Sequence, residues 1–219
     1  MSNNRLISLG GILFAGATFV AILLLIQGLA VGDTSNAEAA EWLTAKSHQT
    51  RTLVGAYLMI GGAVAFLLFL SGVVVRVQNA HAPQVLVEFI RATGLAFAGC
   101  QLIGAMAMGC AALAVRSGVE PSPIDPAALR VTALGFSIWV IPGMLSAASF
   151  AVAVACAALS AKAFPTWVGW SGLLCGLVLL GAIQFLPVMV LLLWVTAIAV
   201  GALTFQPEVR ASSSGEPAS

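Results

Sequence analysis

Charged residues are scarce in this chain. Nine Lys or Arg and eight Asp or Glu make up 8% of its 219 residues, whereas a water-soluble domain keeps about a quarter of its residues charged. Too little charge is left to clothe a surface that faces water. The scarcity is also uneven, because no ionisable side chain falls near the middle of any long apolar run. A charge at the centre of a spanning helix costs roughly 2.5–3.5 kcal/mol on insertion scales and marks function where it occurs. Its absence argues against a proton-coupled transporter built on a buried carboxylate and against a voltage sensor. A carrier for neutral or lipid-like molecules is untouched by that argument.

Histidine is scarcer still. His48 and His81 both lie outside the apolar runs, and the topology derived below puts them on opposite sides, where they cannot ligate one haem. An intramembrane serine would find no histidine partner at its own depth. The chain has no HExxH and no glycine-rich phosphate loop, the patterns that hold zinc or nucleotide phosphates. Its four cysteines, Cys100, Cys110, Cys156 and Cys175, all fall within apolar runs without a CxxC. Neither a redox motif nor an extracellular disulfide framework is indicated, and they read as small packing residues. No catalytic, cofactor-binding or metal-binding residue is assigned, no cofactor is expected, and an enzyme is the minority reading.

What the chain has is hydrophobicity: 60% of its residues are apolar and the mean hydropathy is +1.05. A spanning helix needs roughly 20 apolar residues, and suitable runs occur at Leu6–Ala30, Leu53–Val75, Ala92–Val115, Val131–Ser160, Trp167–Gln184 and Pro187–Phe205. They are too long for barrel strands and do not alternate. The expected class is all-α, an integral membrane helical bundle of about six transmembrane helices forming a single domain over residues 1–205. The fourth run would reach about 45 Å as a straight helix, against a hydrocarbon core of roughly 30 Å. It must tilt, kink or extend into the interface, and Pro142 marks the kink. The fifth run is short, and Phe185-Leu186-Pro187 reads as a tight turn opening the sixth, since proline suits a first helical turn; the alternative is a re-entrant pair. The first run follows Met1-Ser2-Asn3-Asn4-Arg5 and is longer than a secretory h-region of about 7–15 residues, which predicts a permanent helix.

An even number of spans puts Arg5, Arg76, Arg91, Lys162 and Arg210 on one side and Lys46, Arg51, Arg116 and Arg130 on the other. The excess of one cation orients both termini to the cytoplasm under the positive-inside rule. The loop from Val31 to Thr52 contains Ser35-Asn36-Ala37-Glu38, which fits a capping box, and predicts a short interfacial helix with Trp42 at headgroup depth. Val85, Leu86, Phe89 and Ile90 extend the third helix into the interface, with Glu88 and Arg91 spaced to pair on one face. Pro121, Pro123 and Pro126 make the next connection an exposed loop. Residues 206–219 bury too little apolar area to fold and are expected to be a disordered tail.

Within the runs the polar residues are Gln27, Tyr57, Ser71, Gln101, Ser137, Ser146, Ser149, Gln184 and Thr196. Gln101 lies about two to three turns inside the third run and must find a partner, either another helix or a ligand. Gln101, Ser137 and Ser146 are the candidate cavity residues, grouped near the Pro142 kink. Small residues recur at packing spacing: Ala92, Ala96, Cys100 and Gly104; Gly143, Ala147, Ala151 and Ala155; and the Gly172–Gly176 pair. Such stripes let helix backbones approach closely where no hydrophobic effect drives association.

The segment Pro165-Thr166-Trp167-Val168-Gly169-Trp170-Ser171-Gly172, together with Ala39-Ala40-Glu41-Trp42-Leu43 ahead of the second run, resembles uncharacterised bacterial multi-spanning membrane proteins of the domain-of-unknown-function type. The resemblance implies a bacterial inner membrane and a bundle of six or nearly six spans, and it carries over no site residue.

Three functions fit these observations. The first is a non-enzymatic accessory or regulatory membrane component that packs with a membrane-protein partner or with a second copy. The second is a small carrier or binding protein for an apolar or neutral solute. The third is a lipid-acting intramembrane enzyme using Glu88, Arg91 and Arg130. The lipid bilayer is the expected surrounding in each, and no nucleic acid partner is expected.

Overall fold

The computed structural model describes residues 3–28, 38, 41–42, 44–119, 126–181 and 186–204. Every regular element among them is helical: α1 (Asn3–Gly28), α2 (Lys46–Asn79), α3 (Gln84–Arg116), α4 (Pro126–Ile138), a π-helical turn (Trp139–Gly143), α5 (Met144–Ser160), α6 (Thr166–Leu180) and α7 (Leu186–Thr204). The all-α helical bundle expected from the apolar runs is therefore the observed class. The capping box at Ser35–Ala37, the prolines at Pro121 and Pro123, Phe185 and the tail after Thr204 lie outside the described residues.

Helix boundaries follow local chemistry. The second helix starts earlier than its apolar run, because Lys46 to Thr52 contains neither glycine nor proline and simply continues the helix into the polar segment. The third begins at Gln84 behind Pro83, which accounts for the helical spacing of Val85 to Ile90. Three helices stop by turning left-handed, at His81 (φ 56°), Gly118 (φ 71°) and Lys162 (φ 55°). The first and third of these occupy a conformation that usually calls for glycine, and Pro83 and Pro165 then prevent the helix from resuming. Pro142 sits inside the π-helical turn. A proline has no N–H to donate, and the wider turn absorbs the missing bond at the residue where the sequence predicts an interruption of the fourth run.

The rods form a closed ring. α1 packs on α2, α2 on α3, α3 on α4 and α5, α5 on α6, α6 on α7, and α7 back on α1. Close approach depends on small residues. A Cβ added at Gly10 would stand 2.5 Å from the Phe69 backbone nitrogen and 2.8 Å from the Ala65 carbonyl oxygen, so α1 and α2 touch backbone to backbone. Gly104 and Gly135 do the same for α3 and α4, each within 2.9 Å of the other's carbonyl oxygen by the same measure. Two of the stripes read from the sequence meet at Gly172, which faces the Ala151 carbonyl and the Ala155 methyl.

Aromatic rings fill the centre. Phe66 lies with its ring centroid 5.1 Å from Phe14, 5.8 Å from Phe69, 4.9 Å from Phe97 and 5.4 Å from Phe150, and Phe150 reaches Trp194 at 6.3 Å. Most of these pairs are edge-to-face, the arrangement favoured by the ring quadrupole and worth about 0.5–1.5 kcal/mol per pair beyond area burial. The outside is apolar too, with Ile103, Leu174 and Leu193 more than half exposed, a surface suited to lipid rather than to water.

Four helices are long and apolar enough to cross a membrane, within Asn4–Gln27, Lys46–Asn79, Gln84–Arg116 and Arg130–Ser160; Thr166–Leu180 and Pro187–Ala202 are shorter apolar helices. This is compatible with a membrane location. At 15 residues α6 is about 22 Å long, less than the roughly 30 Å hydrocarbon core. Pro187 does occupy the first turn of α7.

Gly10→Val is expected to destabilise the protein by about 1–3 kcal/mol, as overpacking does. Gly61→Ala should instead gain about 0.5–1 kcal/mol, because nothing lies within 4 Å of that Cβ position. Equilibrium unfolding in mixed detergent micelles measures both.

Candidate functional site

Gln101 is fully buried on α3. Its amide nitrogen donates to Thr18 Oγ1 of α1 at 3.2 Å and to the Met59 carbonyl of α2 at 3.1 Å, so one side chain ties three helices. Its Oε1 accepts no hydrogen bond among the described residues. Ser137 and Ser146 turn back on their own helix instead, donating to the carbonyls of Ala133 at 3.0 Å and Pro142 at 2.8 Å. Ser71, Ser149 and Thr196 make the same four-residue return, the local bond by which hydroxyls satisfy themselves in a helix. The three candidate cavity residues therefore do not join one network, and none of them lines either cavity described below.

Glu88 and Arg91 pair at 2.9 Å on the exposed face of α3, and Gln84 also donates to Glu88. Arg130 lies far from them. Gly135, five residues further along α4, meets α3 at Gly104 and Met108, which puts Arg130 about 30 Å or more along the axis from Glu88. The trio does not form a cluster.

A different basic residue is held at a constructed site. Arg76 lies in the last turn of α2, whose C-terminus is at the same end of the bundle as the start of α1, the α5–α6 connection and the end of α7. The left-handed turn at Lys162 reverses the chain so that the Ala163 carbonyl faces α2. There it accepts Arg76 Nε–H at 2.8 Å, while Nη1 donates to Asn4 Oδ1 of α1 at 3.3 Å. The guanidinium carbon sits 4.8 Å from the centre of the Phe164 ring, within range of a cation–π contact.

Beside the guanidinium is a cavity of about 160 Å³. Phe164 and Pro165 of the connection, Trp167 and Val168 of α6, and Ile198, Gly201 and Ala202 of α7 complete its wall. Gly201 matters to its shape, since a Cβ there would already be 3.4 Å from Trp167 Cζ2. Burial strips a charge of solvation unless it is paired, and among the described residues the half-buried cation meets a carbonyl, an amide oxygen and a ring, all neutral.

A second cavity of about 290 Å³ opens on the outside of α2 and α3 between Tyr57, Ile60, Met106, Cys110 and Leu113. Its lining is almost wholly apolar, and it offers no charge to fix a ligand.

The sequence reading counted Arg76 only as a topology marker. Two signals could have singled it out: it follows an apolar run directly with no acidic residue three or four positions away, and Phe164-Pro165-Thr166-Trp167 supplies aromatics at an equivalent end.

Gln101→Leu keeps the volume and removes an unsatisfied oxygen along with two bonds, so its cost is expected to stay within about 1 kcal/mol. Gln101→Ala leaves a void and should cost about 2 kcal/mol or more. Unfolding midpoints of the two variants separate glue from packing.

The chain matches no known protein-family model, no curated protein and no solved structure at a significant level.

Proposed function

We propose that this chain is a multi-pass, non-enzymatic accessory component of a bacterial inner membrane, acting through helix packing with a membrane-protein partner or a second copy, with both termini cytoplasmic. The observation that carries this reading is the filled centre of the ring. Phe14, Phe66, Phe69, Phe97 and Phe150 are all at most 1% exposed and occupy the axis along which a solute would have to pass. Ser71, Ser137, Ser146, Ser149 and Thr196 are committed to their own backbones and the Gln101 amide nitrogen to inter-helix bonds, so these side chains form no polar track along that axis.

Packing capacity remains on the outside. Gly16, Gly61 and Gly99, on three successive helices, have nothing within 4 Å of their Cβ positions. All three lie within about a turn of the level at which Gln101 bonds Thr18 and Met59. Open glycines at that depth allow a neighbouring helix to come close.

Proteoliposomes carrying the purified protein should show no uptake of small neutral solutes above protein-free vesicles. Saturable uptake would favour the carrier reading and overturn this one. For the orientation, membrane-impermeant labelling of single cysteines at His81 and Lys162 should report the cytoplasmic side, and at Ser117 the opposite side.

A further inference from the structure

We propose that the cavity beside Arg76 binds a phosphate-bearing anion. Its guanidinium is half-buried, and the groups that touch it among the described residues are neutral: the Ala163 carbonyl, the Asn4 side-chain oxygen and the Phe164 ring. A partly desolvated cation of this kind is satisfied when an anion shares its site. A guanidinium carries five N–H donors in a planar fork matched to phosphate oxygens, and the two hydrogen bonds named leave donors over. The adjoining space of about 160 Å³ has room for one phosphate group.

The surroundings have the right sign. Arg5, Arg76, Arg91 and Lys162 gather at this end with one carboxylate among the described residues, Glu88, and that carboxylate is already held by Arg91 and Gln84. The first turn of α6 lines the same cavity through Trp167 and Val168, but the last turns of α2 and α7 line it too, so the helix dipoles offset one another and the cations set the sign. The rest of the wall, from Trp167 to Ile198, is apolar. A phosphate on an apolar body fits that division, and Arg76 follows the apolar stretch 53–75 directly, at the level where headgroups and indole rings lie. The same guanidinium chemistry would also take free phosphate, and the experiment separates the two sources.

The site stands apart from the accessory reading, since it concerns the end of the bundle and not its axis. Native mass spectrometry of the full chain, released from nanodiscs of phosphatidylglycerol mixed with phosphatidylcholine, reads the preference directly. The wild-type protein should retain phosphatidylglycerol over phosphatidylcholine, and Arg76→Gln should reduce that preference about tenfold, the effect of losing a charge-assisted hydrogen bond. Gly201→Leu keeps the guanidinium and its three contacts but fills the cavity beside Trp167, so it should reduce the preference similarly, and it decides the matter if Arg76→Gln does not fold. Displacement of the lipid by millimolar inorganic phosphate assigns the site to soluble phosphate; retention of the lipid assigns it to the headgroup. An unchanged preference in folded Gly201→Leu, or no preference in the wild type, overturns the proposal and leaves Arg76 as a strap between α1, α2 and the α5–α6 connection.

Discussion

Phe66 is the contact on which the arrangement of the other helices depends. Its ring meets Phe14 of α1, Phe97 of α3 and Phe150 of α5, so one side chain of α2 sets the spacing of three neighbours across the axis. Apolar side chains also cover the outside of the bundle, so what distinguishes the centre is packing and not apolarity alone. The gain must come from interdigitated shape and ring geometry, which disappear if the helices separate by even an ångström. A bundle closed around such a centre has little freedom to breathe along its axis.

Rings that large can meet at the centre only if the helices elsewhere come unusually close. Gly10 against the Phe69 backbone and Gly104 against Gly135 supply that closeness at the rim of the ring, where any side chain would force the rods apart. The pattern is thus large residues inward and the smallest residues between neighbours. Gln101 adds direction to a packing scheme that otherwise has none, because its two donated bonds fix the register of α3 against both α1 and α2. The π-helical turn at Pro142 lies between α4 and α5, and both of them pack on α3.

Much of this was legible in the sequence, and what was not has a physical reason. Apolar run length and scarce charge identify the helices, and proline chemistry locates the irregular turn at Pro142 and the first turn of α7. The Gly172–Gly176 stripe and the alanines of the fourth run were each visible as small-residue periodicity, but that the two meet was not. Gly10 and Gly135 were not, because neither belongs to a four-residue repeat, and what makes each indispensable is a backbone on another helix. The serines at 137 and 146 looked like cavity residues from their proximity to the kink. A hydroxyl in a helix, however, can always satisfy itself on the carbonyl four residues back, and sequence alone does not say when it will. Arg76 was missed for the converse reason: its partners, Asn4 and Ala163, are distant in sequence and carry no charge that would announce a pair.

The filled centre also explains why recognition chemistry sits where it does. A ligand site needs space and at least one group that prefers the ligand to its surroundings. The axis has no space, since its volume is taken by rings, and the donors of Gln101 beside it are spent on Thr18 and Met59. The outer groove of α2 and α3 has space, but its lining is almost wholly apolar and offers no charge to hold a guest. A permanently charged side chain could not be placed at mid-depth without a cost of several kcal/mol, so it is confined to the ends, where water and headgroups share its solvation. Of the cations at the described ends, Arg76 is the one drawn inward by a carbonyl and a ring beside open volume. The demands of closure and of solvation therefore converge on the same place: the bundle excludes chemistry from its interior and leaves it at a rim where α1, α2, α6 and α7 end together.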